Sequence, residues 1–129
     1  MSLLFLSGCG ARQDHPVEDI GGRHDVSRFA LTSIKGTRDG DRLDVRAVYG
    51  DGSEELTTHL HFAVSPPTHL ASGTWSGLGG EGSVRERSVT FLGGQSGPPS
   101  LGGRFDLIGS DNRPKYRVAI PLQPLKDRL

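Results

Sequence analysis

Three histidines lie close together in the chain and could bind a metal ion. His59 and His61 form an H-x-H pattern, and His69 follows the Pro66-Pro67 pair. Side chains two residues apart on a β-strand point the same way, an arrangement that suits zinc or another transition metal. Residue alternation puts both on the polar face of their strand, with Asp44 as the predicted cross-strand neighbour of His59. A metal also needs a third ligand and supporting hydrogen bonds, so solvated surface histidines are the competing interpretation.

Two other patterns resemble catalytic or cofactor motifs only superficially. The stretch GLGGEG at residues 77–82 matches G-x-G-x-x-G. A nucleotide site needs a helix after that pattern, whereas the residues that follow alternate as a strand does. Ser96 lies in GGQSGPPS, where Pro98 replaces the last glycine of a G-x-S-x-G turn. The sequence therefore predicts no cofactor and no catalytic residue, with a metal-dependent enzyme built on the three histidines as the alternative.

The single tryptophan, Trp75, has two interpretations. A lone tryptophan belongs most often to a core. With Tyr49 and Tyr116 it would instead form an aromatic surface for a carbohydrate or cell-wall ligand, as β-domains commonly do.

The uncharged stretch GGQSGPPSLGG, residues 93–103, is a candidate contact surface for a partner. Its two prolines restrict the backbone, and long ordered loops in compact domains tend to be functional. Gln95 and Ser96 would offer hydrogen bonds, and Leu101 would be an apolar anchor. The other interpretation is a mobile connector between two strands.

The only cysteine follows the apolar run Leu3–Leu6. The segment Leu6-Ser7-Gly8-Cys9 resembles the lipobox of bacterial lipoproteins, in which an aliphatic residue and two small residues precede the cysteine. In that family the thiol carries diacylglycerol and the segment before it is removed. The resemblance implies lipidation at Cys9 and, with Gly10 rather than Asp next, an outer-membrane location. A buried free cysteine beside an amino-terminal strand is the alternative.

The resemblance and the composition together divide the chain into three parts. Residues 1–8 are predicted to be a signal-like segment, residues 9–27 a lipidated cysteine with a flexible tether, and residues 28–129 the folded domain. The tether assignment follows from a polar stretch punctuated by glycine and proline. It makes the acidic, histidine-containing cluster of Asp14, Glu18, Asp19, His24 and Asp25 a set of solvated linker residues.

The composition favours a small all-β domain. A chain of 129 residues, with 19 glycines and 8 prolines, suits one domain with many turns. The net charge is zero, which argues against broad binding to nucleic acid or acidic lipid. Turn clusters separate about seven strand-like runs at the spacing of an antiparallel sandwich or barrel.

Two Asp-Gly pairs, at residues 39–40 and 51–52, predict β-hairpins. In the second hairpin a two-residue turn and the apolar alternation agree on one register. That register pairs Ala47 with Leu56, Val45 with Thr58 and Leu43 with Leu60. In the first hairpin, a three-residue loop would place Phe29 and Leu31 on the face that carries Val45. A two-residue turn would instead place Ile34 on that face.

These features predict a non-catalytic lipoprotein of the cell envelope. The lipid anchor would hold it on a membrane, where the β-domain would bind an envelope protein or polysaccharide or give structural support. The expected location is the outer membrane, facing the periplasm or the cell surface. Metal binding through His59, His61 and His69 and carbohydrate binding through Trp75 remain the alternatives.

Overall fold

The computed structural model describes residues 16–21, 24–93 and 99–125. In these residues the chain forms eight strands: β1 Val17–Asp19, β2 Ala30–Asp39, β3 Arg42–Gly50, β4 Glu55–Ala63, β5 His69–Gly77, β6 Gly80–Leu92, β7 Ser100–Gly109 and β8 Pro114–Pro124. All strand pairs are antiparallel, in the order β1-β8-β7-β6-β5-β4-β3-β2. No helix long and apolar enough to cross a membrane occurs in this part of the chain.

The all-β prediction is confirmed, but the folded domain begins earlier than predicted. Val17–Asp19 pairs with β8, and Val17 is only 3% exposed. Val26 is also buried in the core. The described part of the segment predicted to be a tether therefore belongs to the sheet and its core. Val17 and Val26 supply the buried apolar surface that holds this mostly polar stretch there.

Two-residue turns join β2 to β3 and β5 to β6. Asp39 pairs with Arg42 across the first turn. In the second, Leu78 and Gly79 both have positive φ, 55° and 78°, as a twisted two-residue hairpin requires. The glycine-rich pattern at residues 77–82 is thus a hairpin turn that runs into β6.

The second Asp-Gly pair forms a longer loop than predicted. The Asp51 carboxylate accepts the backbone N–H groups of Ser53 and Glu54, both at 2.9 Å, and so closes a four-residue loop. Val45 consequently pairs with Leu60, two residues further along than predicted. Because the shift is an even number, every side chain keeps its predicted face although each predicted pair is wrong.

The first hairpin combines the two predicted alternatives. The two-residue turn places Ile34 opposite Ala47. A bulge between Leu31 and Ser33 then shifts the register, so that Leu31 lies opposite Tyr49 and on the same face. The extra residue in β2 thereby lets both Leu31 and Ile34 face the core.

The sheet curls around one core, and strands distant in the sheet order touch. The Tyr49 hydroxyl on β3 donates to the Ala119 carbonyl on β8 at 3.2 Å. The rings of Phe62 on β4 and Phe105 on β7 meet edge to face, with centroids 5.9 Å apart. The described residues therefore form one curled sheet of eight strands, with one continuous hydrophobic cluster inside it.

Candidate functional site

A cleft of about 520 Å³ opens at one end of the curled sheet. The β5–β6 turn and the β7–β8 turn form two of its sides, and the residues that follow β1 form the third. The side chains that give it chemical character are Asp19, His24, Trp75, Glu81, Lys115 and Tyr116.

Trp75 forms the inner wall of the cleft and is 3% exposed. Its indole Nε1 donates to the Ile108 carbonyl at 2.9 Å. Its ring lies edge to face against Tyr116, with centroids 5.7 Å apart. Gly82, directly across on β6, leaves room for the indole, because a Cβ there would lie 3.0 Å from Nε1. Trp75 is therefore a core residue, and its ring face is not offered for stacking on a sugar.

Tyr116 and His24 connect this wall to the segment after β1. The Tyr116 hydroxyl lies 2.7 Å from His24 Nδ1, and the His24 backbone N–H donates to the Asp19 carboxylate. Burial raises the pKa of Tyr116, and the negative charges of Asp19 and Glu54 raise it further. The phenol therefore keeps its proton at neutral pH. These bonds fix an exposed imidazole at the cleft mouth.

Charged groups of both signs line the rest of the cleft. Lys115 Nζ donates to Asp111 at 2.9 Å, and this bond holds the pKa of the Asp111 carboxyl below its usual range. Glu81 and Arg113 are exposed at the rim. A cleft with carboxylates, cations and a histidine around a buried aromatic wall suits a small polar ligand that carries both donors and acceptors.

The three histidines predicted as metal ligands lie on the outside of the sheet. His61 Nδ1 lies 2.7 Å from Asp44 Oδ1, and both side chains are about half exposed. Asp44 is thus the neighbour of His61, not of His59, which pairs with Arg46. His69 Nδ1 faces the Pro67 carbonyl at 3.1 Å. Among the residues described, no three His, Cys, Asp or Glu side chains are grouped to hold a metal ion.

The predicted contact loop is only partly described. Leu101 is fully buried on β7, so it anchors the core and cannot serve as a surface anchor for a partner. Tyr49, proposed as part of an aromatic surface, is equally buried. Gln95, Ser96 and Cys9 lie outside the described residues.

Sequence reasoning missed the cleft because its mouth is built by residues assigned to the tether. The polar character of the segment predicts solvated linker for Asp19 and His24, and the signal against this is the apolar character of Val17 and Val26 nearby. Long-range pairing of β1 with β8 is not visible in local alternation. Comparison with protein-family models, curated proteins and solved structures finds no match to this chain.

Proposed function

We propose that the chain is a non-catalytic lipoprotein, anchored through Cys9, whose β-domain binds a polar ligand in the cell envelope. The observation that carries the binding role is the cleft, whose imidazole, phenol and indole are fixed by hydrogen bonds. The anchor is supported by the lipobox-like segment Leu6-Ser7-Gly8-Cys9. The outer membrane is the proposed location, because Gly10 rather than Asp follows the cysteine.

We also propose that the curled sheet acts as a small open barrel. In support, the Tyr49–Ala119 hydrogen bond spans the interior. The Arg38 guanidinium on β2 lies 5.7 Å from the Phe91 ring on β6, which links two further distant strands. A barrel mouth is a common place for a ligand site, and the cleft occupies such a mouth.

The short distance from the anchor to the sheet limits where the cleft can lie. Eight peptide units separate Cys9 from Val17. Fully extended, they span at most about 29 Å. An acylated Cys9 would therefore keep β1 close to the membrane surface, within reach of soluble envelope components.

Fragments of peptidoglycan are a suitable probe of the cleft. They carry hydroxyl, amide and carboxylate groups together, which match the mixed charges of Glu81, Lys115 and Arg113. Trp75 is the single tryptophan and lines the cleft, so its fluorescence reports binding without interference. We expect a saturable change in emission on titration with soluble muropeptides.

The matched variants remove one carboxylate each. Glu81→Gln changes the cleft rim, whereas Asp39→Asn changes the exposed end of β2. Because a hydrogen bond to a charged group contributes about 1.5–3 kcal/mol, Glu81→Gln should weaken binding about tenfold or more. Asp39→Asn should leave binding unchanged. A flat titration of the unmodified chain, or equal loss in both variants, contradicts a binding role for this cleft.

A further inference from the structure

Four arginines surround one buried carboxylate on the outer face of β6, β7 and β8. Asp106 is 4% exposed. It accepts from Arg117 Nε at 2.9 Å and from Arg87 Nη1 at 3.2 Å. The bond to Asp106 raises the pKa of the Arg117 guanidinium. Two arginines are thus held in fixed orientations on this face.

The other two arginines form no ion pair with any of the described residues. Arg85 lies directly across from Asp106 on β6, and Arg104 precedes Asp106 by two residues on β7. Both are exposed, and neither side chain makes a hydrogen bond or ion pair within the described part of the chain. Sheet geometry places such neighbours about 5 and 7 Å apart. Two carboxylates lie near the four arginines: Asp106 itself and Glu18 on β1, which lies opposite Arg117. They offset only two of the four positive charges.

Two exposed leucines lie beyond the arginines, where β6 and β8 end. Leu92 is 55% exposed and Leu122 is 52% exposed, and of the described residues only Ile20 is another large apolar side chain so exposed. Between Leu122 and Arg104 runs an open groove of about 690 Å³. Gly102 keeps its floor low, because a Cβ there would lie 2.8 Å from the Leu122 Cα.

The chain segment that leads into β1 lies on this same face. The Ala119 N–H donates to the Pro16 carbonyl at 2.8 Å, and Pro16 lines the groove together with Arg104 and Leu122. Only six residues stand between Cys9 and Pro16. A lipid on Cys9 would therefore keep Pro16 and the groove that it lines within about 25 Å of the membrane surface.

We infer that the outer face of β6–β8 rests on the surface of an anionic bilayer. Arg85 and Arg104 bind lipid phosphates, and Leu92 and Leu122 enter the headgroup region. Basic side chains beside a bilayer and a few apolar side chains at its surface are the two contributions that strengthen a single lipid anchor. The inference rests on the proposed anchor, since acylation of Cys9 would hold the chain at the membrane surface.

The full chain with the substitution Cys9→Ser cannot be acylated. Its binding to vesicles therefore tests the outer face of β6–β8 separately from the anchor. The probes are vesicles of phosphatidylglycerol and of phosphatidylcholine, followed by co-sedimentation. We expect binding to the anionic vesicles only, weakened by salt. The double variant Arg85→Gln/Arg104→Gln should bind about 25-fold more weakly, at about fivefold for each basic residue.

The matched control is Lys35→Gln/Arg46→Gln, which removes the same charge from an exposed cross-strand pair on β2 and β3. This control should bind anionic vesicles as the parent does. An equal loss of vesicle binding in both double variants would show an effect of net charge and overturn the inference. Leu92→Ser/Leu122→Ser should reduce the binding that persists in salt. Absence of binding to anionic vesicles also overturns it.

A competition experiment distinguishes binding to lipid phosphate from binding to free phosphate. Inorganic phosphate and sodium chloride of equal ionic strength should displace the chain from vesicles equally. Stronger displacement by phosphate would assign the arginines to a free anion and contradict a lipid surface. Since Cys9 is absent from this experiment, its result is independent of whether the natural chain is acylated.

Discussion

The Tyr49 hydroxyl on β3 donates to the Ala119 carbonyl on β8 at 3.2 Å, although five strand spacings separate the two strands in the sheet. In a flat sheet they would lie about 24 Å apart. The bond therefore measures the curl of the sheet. Tyr49 is fully buried, and burial raises the pKa of its hydroxyl well above its usual range.

Tyr49→Phe should destabilise the fold by about 1–2 kcal/mol, because it leaves the Ala119 carbonyl without its donor. The aromatic packing is kept, so the loss reports the hydrogen bond. The free energy of unfolding from a urea titration measures it. A variant as stable as the parent would show that this bond does not help to hold the curled sheet together.

Gly82→Ala should destabilise the fold by about 3 kcal/mol or more, since the added methyl would lie 1.8 Å from the Ile108 carbonyl oxygen and disturb the Trp75 bond to it. Gly93→Ala is the matched control, because among the described residues its Cβ would meet only Phe91, at 3.6 Å. Urea midpoints and Trp75 emission give the comparison. Similar midpoints for the two variants would contradict the packing at the cleft wall.

Val45→Asp should abolish folding, because it places an unpaired charge where the side chain is 2% exposed. Asp44→Ala, one residue earlier, should change stability by about 0.5 kcal/mol or less, since its ion pair with His61 is half exposed. Urea unfolding distinguishes the two. If both variants unfold alike, the assignment of faces in β3 is wrong.

The face of each residue in the central hairpin was predictable, whereas the pairing was not. Alternation of apolar and polar residues sets the face, and an even shift of register preserves it. The pairing of Val45 with Leu60 depends on the Asp51 carboxylate, which closes a four-residue loop in place of a tight turn. Such side-chain bonds to backbone N–H groups compete with the turn that an Asp-Gly pair predicts.

The cleft was not predictable from local patterns. It depends on Val17 pairing with Val118, at the other end of the chain, and on His24 meeting Tyr116. Contacts between residues so far apart in sequence leave no periodic signal. The bulge between Leu31 and Ser33 is a further long-range outcome, because it lets both apolar sets of β2 reach one core.

The Asp51 loop should make part of the stability pH-dependent. Its bonds from Glu54 and Ser53 lower the pKa of the Asp51 carboxyl. A lowered pKa in the folded state means that this contribution is fully present above the usual aspartate pKa and is lost as the pH falls below it and through the lowered pKa of the folded state. The urea midpoint of Asp51→Ala should lie below that of the parent at neutral pH, and the difference should shrink below about pH 4. A difference that stays constant with pH contradicts this account of the loop.

Metabolic labelling with palmitate tests the central proposal, lipid anchoring at Cys9, most directly. The natural gene is expressed in a Gram-negative host, beside the variant Cys9→Ala. We predict label on the parent chain and none on Cys9→Ala, with the label recovered in the outer-membrane fraction. No label on the parent, or label that persists on Cys9→Ala, would contradict the anchor.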